Sequence, residues 1–170
     1  QWSQNDSLLQ TDSNGVSLWA TWDSENLYLA WDGTDWASTS EGADLFIYFN
    51  TTSGGSVLSK DWNFAHTLPF AADYGFVLED SSYNSMLSFD GSQWQEQSTI
   101  VENYTGWSDN KVTELALPWT SLGSPTTFQF MAYAQWQDAG NVWTSFPTDN
   151  PASSNGAETF THAWHVDNVS

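Results

Sequence analysis

"VSLWATWDSENLYLAW", residues 16–31, decides the fold. Val16, Leu18, Ala20 and Trp22 alternate with Ser17, Trp19 and Thr21, and after the turn "DSEN" Leu27, Leu29 and Trp31 alternate with Tyr28 and Ala30. A period of two puts every second side chain on one face of a strand, so each run reads as a strand with a single buried face. Two such runs joined by a short polar turn read as an antiparallel hairpin.

The same pattern recurs outward from this hairpin, at 43–50, 74–79, 85–90, 98–107, 111–119, 126–136, 141–146 and 158–166. Sustained helical periodicity is missing, and "PWTSLG" (118–123) has room for one turn. About ten short strands in one domain predict an all-β chain, a two-sheet antiparallel β-sandwich rather than a barrel. The less patterned stretches 50–68, 80–84, 90–97 and 147–157 read as loops, where recognition usually resides on such a scaffold. Gln1–Gln10 is polar with a weak apolar tip and is set off by "TDSNG", so it reads as an N-terminal arm or extra edge strand beside a single domain over 11–170.

Composition supports strands and narrows the partners. Among 170 residues are 12 Trp, 10 Phe and 6 Tyr, types that fit a pleated surface, and the sequence between the apolar runs is rich in turn formers. Lys and Arg total 2 against 21 Asp and Glu, a formal net charge of -19. Such a surface repels phosphate backbones and anionic lipid headgroups, which excludes nucleic acid and leaves cations and neutral ligands. Charged residues are only 14% of the chain, below the roughly 25% of an average domain, so the chain lacks positive groups rather than accumulating charge. That deficit suits an acidic environment better than a saline one, and a secreted protein of neutral pH with few lysines accounts for it equally.

There are no cysteines, hence no disulfide, thiolate or cysteine zinc chemistry. Four Asn-x-Ser/Thr segments, at Asn5, Asn50, Asn103 and Asn168, are candidate glycan acceptors in an exported chain. No apolar run approaches the ~20 residues of a membrane span, so no membrane insertion is expected. The chain opens at Gln1 without Met or a signal peptide, which suggests a processed chain placed extracellularly or at the cell surface.

The order of segments resembles a known group. "VSLWATWDSENLYLAWDGTDW", followed by "EGADLFIYFNT" and later by "KVTELALPWTSLGSPTTFQFMAYAQW", is similar to the DOMON-like β-sandwiches, particularly family 9 carbohydrate-binding modules and the C-terminal modules of glucodextranases and archaeal pullulanases. About half of the chain carries the likeness. The resemblance implies a secreted module of two packed sheets; its members bind sugars, bind haem or serve structurally, so the site has to be argued on its own residues.

Sugar rings present C–H faces that stack on an indole, with Asp, Asn, Gln or His bonding their hydroxyls. Trp19, Trp22, Trp31 and Trp136 lie within strands and read as packing, whereas Trp36, Trp62, Trp94, Trp107 and Trp143 lie in or beside loops. The densest local cluster is "KDWNFAH", with Lys60, Asp61, Trp62, Asn63 and His66; its structural alternative is a hydrated loop tied down by Trp62 and Phe64. Asp32, Asp35 and Asp44, with Glu41, and separately Asp12 and Asn14, are candidate Ca2+ donors, although Asp and Asn also build turns by bonding their own backbone. His162 and His165 are three apart, which on a strand puts them on opposite faces. Met86, Met131 and the histidines are of haem-ligand type, but no Cys-x-x-Cys-His attachment exists. No nucleophile elbow, phosphate loop or zinc-protease helix occurs, so no enzyme is expected.

Two functions follow as expectations. One is a non-catalytic module stacking a neutral polysaccharide or glycan on loop aromatics. The other is a glycosylated subunit that self-associates into an extracellular filament or surface layer, by adding its N-terminal arm to a neighbour's sheet edge.

Overall fold

The computed structural model describes residues 7–33, 43–60, 62, 64–80, 83–98, 104–106, 112–136, 139–152 and 156–167. Fourteen strands run through them: β1 (Leu8–Thr11), β2 (Ser17–Trp22), β3 (Asn26–Asp32), β4 (Ala43–Asn50), β5 (Ser56–Leu58), β6 (Thr67–Ala72), β7 (Tyr74–Asp80), β8 (Tyr83–Phe89), β9 (Trp94–Ser98), β10 (Tyr104–Gly106), β11 (Val112–Pro118), β12 (Thr127–Trp136), β13 (Val142–Phe146) and β14 (Trp164–Asp167). A 3-10 turn, Trp119–Leu122, follows β11 where "PWTSLG" left room for it.

The strands form an all-β antiparallel sandwich. One sheet has the order β1-β2-β3-β11-β10; the facing sheet has the order β13-β12-β4-β7-β8-β9, with β14 also on β12. The β2–β3 hairpin has the register its alternation dictates, Leu18 opposite Trp31 and Ala20 opposite Leu29. Both rows point inward with Val16, Leu27, Leu115 and Leu117, and meet Leu45, Ile47, Phe49, Phe76, Phe128 and Phe130 from the facing sheet. Trp22 departs from the expected packing: as the last residue of β2, beside the turn, it is 40% exposed.

That turn is built by Asp23. Its Oδ1 accepts the backbone N–H groups of Glu25 and Asn26, each at 2.8 Å, and its Oδ2 accepts the Tyr28 hydroxyl at 2.9 Å. These bonds favour the charged form and hold the carboxyl below its usual range.

Three strands, β5, β6 and β9, lie in or beside stretches expected as loops, and the N-terminal segment takes the edge-strand form that was one of its two readings. The segment ahead of "TDSNG" supplies β1, an edge strand on β2 whose register shifts between Leu8 and Gln10. The 90–97 stretch contains most of β9, paired with β8, so Trp94 is a strand residue. Within and beyond 50–68 lie β5 and β6, which form a two-stranded sheet of their own.

This small sheet explains why "DLFIYF" in β4 and "FQFMAYA" in β12 are nearly continuous apolar runs. Strands covered on both faces lose their alternation. Phe46, Tyr48, Val77, Leu87, Met131, Tyr133 and Val142 point away from the sandwich interior into a second core, covered by Leu68, Phe70 and Ala72 of β6 and by Phe160. The molecule therefore has three layers, and the middle strands of the central sheet, β4, β7 and β12, are buried on both sides.

The excursion leaving β4 is fastened at its root. Buried Asp73, between β6 and β7, accepts the backbone N–H of Thr51 on Oδ1 at 2.8 Å. Its Oδ2 accepts the Thr51 hydroxyl at 2.7 Å, the Thr52 N–H at 2.8 Å and the Thr52 hydroxyl at 2.7 Å.

Candidate functional site

The cluster around Trp62 belongs to the outer layer. The Trp62 ring lies 5.3 Å from that of Phe46, and Lys60 Nζ is 4.4 Å from the Trp62 centroid while pairing with Glu96 Oε1 at 2.9 Å. Trp94 packs 5.3 Å from Tyr48, and its indole N–H donates to the carbonyl of Leu58 at 2.9 Å. His66, expected on a recognition loop, is instead fully buried. Its placement follows from sequence: alternation along "HTLPFA" puts His66, Leu68 and Phe70 on the inward face. Burial pushes the phenols of Tyr48 and Tyr133 well above their ordinary value, so both stay neutral hydrogen-bonding groups. Asp61 and Asn63 lie outside the described residues, as do Trp36 and Trp107.

Trp143 is placed differently. Along β13, Thr144 faces Ala134 and Val142 faces Gln135, so Trp143 is the extra residue of a bulge on an edge strand. Bulges re-aim side chains and recur beside binding sites. The Trp143 ring packs at 6.0 Å from Trp136, half-buried at its base, and lines a groove of about 340 Å³ with Asp12, Asn14, Thr144, Thr148 and Asn150.

The groove walls are held by their own bonds. Asp12 Oδ1 accepts the N–H groups of Asn14 and Val16 at 2.8 Å, and Oδ2 accepts the Thr144 hydroxyl at 2.6 Å, which ties the β1–β2 turn to β13 across the two sheets. Thr148 N–H donates to Gln10 Oε1 at 2.8 Å. The Asn150 side-chain oxygen accepts the N–H groups of Thr161 and His162, each at 2.9 Å. An indole thus borders hydroxyls, amides and one carboxylate, with no Lys or Arg lining the groove. Sequence reasoning offered Trp143 and, separately, Asp12 and Asn14; nothing in the local pattern joined them, because they are brought together by contact between the two sheets.

The candidate cation donors do not converge among the described residues. Asp32 is exposed at the end of β3, whereas Asp44 is buried near the start of β4 in the facing sheet; Asp35 and Glu41 lie outside the described residues. Asp12 serves the turn, as its residue type allowed. Among the described residues no group of three or more His, Cys, Asp or Glu side chains is arranged to hold a metal ion. His162 bonds the Thr161 hydroxyl and His165 bonds Asp167 Oδ1. Asn50 lies half-buried at the end of β4 with its amide against that of Gln129 at 2.9 Å; Asn5, Asn103 and Asn168 lie outside the described residues.

Neither a protein-family model, nor a curated protein, nor a solved structure matches the chain.

Proposed function

We propose that the protein is an extracellular, non-catalytic module that holds a neutral glycan in the groove beside Trp143. The observation carrying this reading is the β13 bulge, whose extra residue Trp143, half-buried against Trp136 and the inner core, lines a groove together with hydroxyls, amides and one carboxylate fixed by hydrogen bonds. A preformed, mostly polar groove with one aromatic face suits a pyranose ring, since little ordering is left to occur on binding. The resemblance of the β2–β4 and β11–β12 segments to family 9 carbohydrate-binding modules supports the same ligand class. Calorimetry against a panel of α- and β-glucans tests it. Binding to at least one member is expected, and silence across a broad panel refutes it.

The second reading, a subunit of an extracellular polymer, draws on β1. This four-residue edge strand pairs only with β2 among the described strands, and a strand from a neighbouring copy would add along its other hydrogen-bonding edge. Negative-stain microscopy of concentrated protein separates the two: ordered fibres support the polymer, and isolated particles support the module.

A further inference from the structure

The second core is closed by a short strap, residues 156–160, that returns from the far end of the chain. Its backbone is fixed to the start of β6: Thr67 N–H donates to the Glu158 carbonyl at 2.8 Å, and Phe160 N–H donates to the Thr67 carbonyl at 2.9 Å. Between these lies a parallel bridge of Thr67 with Thr159. The remaining backbone donor of Glu158 is met by a side chain, since its N–H donates to His66 Nδ1 at 3.0 Å.

That bond fixes the state of the ring. A backbone N–H is always a donor, so Nδ1 is an acceptor and the proton of the neutral imidazole is on Nε2, where it donates to Gln135 Oε1 at 3.0 Å. The ring is fully buried, edge-on to Tyr133 at 5.0 Å and tilted over Phe160 at 5.7 Å. A second proton on Nδ1 would set donor against donor at Glu158 and place a charge among aromatic rings.

We propose that His66 is an acid-sensitive latch that holds the 156–160 strap over the second core while its ring is neutral. Among the described residues, the other titratable groups of this region are Asp44 and Tyr48 on β4, Tyr133 on β12, Lys60 beside Ser59, and Glu158 on the strap. Burial pushes the phenols of Tyr48 and Tyr133 upward, so both stay neutral as the pH falls, and Lys60 is paired with Glu96. Asp44 and Glu158 carry carboxyls. Glu158 Oε1 is buried without a hydrogen-bond partner among the described residues, which makes it an acceptor for the charged ring once the strap shifts. The closed strap binds only the neutral ring, so its stability is fully present above the ordinary imidazole range, about pH 6.5, and is lost as the pH falls below it.

Hydrogen exchange of the whole protein, corrected for the intrinsic pH dependence of exchange, tests the latch between pH 8 and pH 4.5. The amides of Glu158 and Phe160 are expected to lose tenfold or more of their protection between about pH 7.5 and 5, with those of β2 and β3 unchanged. His66→Gln, which donates and accepts without titrating, is expected to flatten the profile. A flat wild-type profile overturns the proposal, and so does a His66→Gln profile that falls like the wild type. Nitrogen-15 shifts of the wild-type ring give a reading independent of the variant: uptake of a proton together with loss of protection supports the latch, and loss of protection with the ring still neutral overturns it.

Discussion

Asp73 is the place where one atom-level change has a calculable effect on the outer layer. Its carboxylate takes four hydrogen bonds from two consecutive threonines while only 8% exposed. Asp73→Ala strands two backbone N–H groups, which at roughly 1–3 kcal/mol each sums to about 4 kcal/mol, the threonine hydroxyls being free to turn to other acceptors. Asp73→Asn keeps the shape but offers one oxygen where two backbone donors require one each, so it costs about half as much. Thr52→Val removes a single hydroxyl donor and costs about 1 kcal/mol. Urea unfolding at pH 7.5 followed by tryptophan emission measures all three, with midpoints moving and slopes unchanged if the native state keeps its compactness. A loss below about 1 kcal/mol for Asp73→Ala, or equal losses for the Ala and Asn variants, refutes the reasoning that backbone desolvation sets the scale.

Three further outcomes are expected. Gly33 has φ +100°, and a Cβ there would stand 2.3 Å from the Gly15 carbonyl oxygen, so Gly33→Ala lowers stability by at least about 2 kcal/mol in the same urea assay. Gly91, at φ +96° with open space around it, is the control and loses about 1 kcal/mol on substitution by Ala. Asp90 accepts the N–H groups of Ser92 and Gln93 and the Gln95 amide, which hold its carboxyl down to about 2; carbon-detected NMR titration is expected to find its midpoint there, and the β8–β9 turn to loosen only as the pH falls to that value. Trp143→Ala is expected to weaken glycan binding tenfold or more in calorimetry while leaving the far-ultraviolet spectrum of the sandwich unchanged.

The inner sandwich was legible because β2 and the first half of β3 keep one wetter face. Alternation in "VSLWATW" and "LYLAW" named the buried row and the hairpin register together, and Asp23 named its turn. The outer layer was not legible by the same rule, since a strand covered on both faces has no polar row to betray its period. The signal was present in another form: "DLFIYF" and "FQFMAYA" carry too few polar residues for a sheet with one solvent face, and that surplus called for a cover. The cover itself is polar and short-stranded, and "TTSGGSVLSKDWNFAHTLP" reads as a loop until Leu68, Phe70 and Ala72 are seen against Tyr48 and Tyr133. The groove was hidden for a different reason. Its members stand at Asp12 and Thr144, 132 positions apart, and a bulge that skips Trp143 leaves no mark in hydrophobic period.

Strands that have no wet face have consequences for a chain still folding or partly opened. "LFIYF" in β4 is a five-residue run of strand-forming side chains without charge or proline, the kind of segment that templates intermolecular stacking when bare. In the native molecule its outer side is shielded by two pieces far apart in the sequence, β6 and the strap at Phe160, joined across roughly ninety residues at Thr67. The shield closes only after most of the chain has been made. Until then the uncompensated negative charge of the chain, -19 by formal count, opposes aggregation, since mutual repulsion at neutral pH keeps unfinished copies apart.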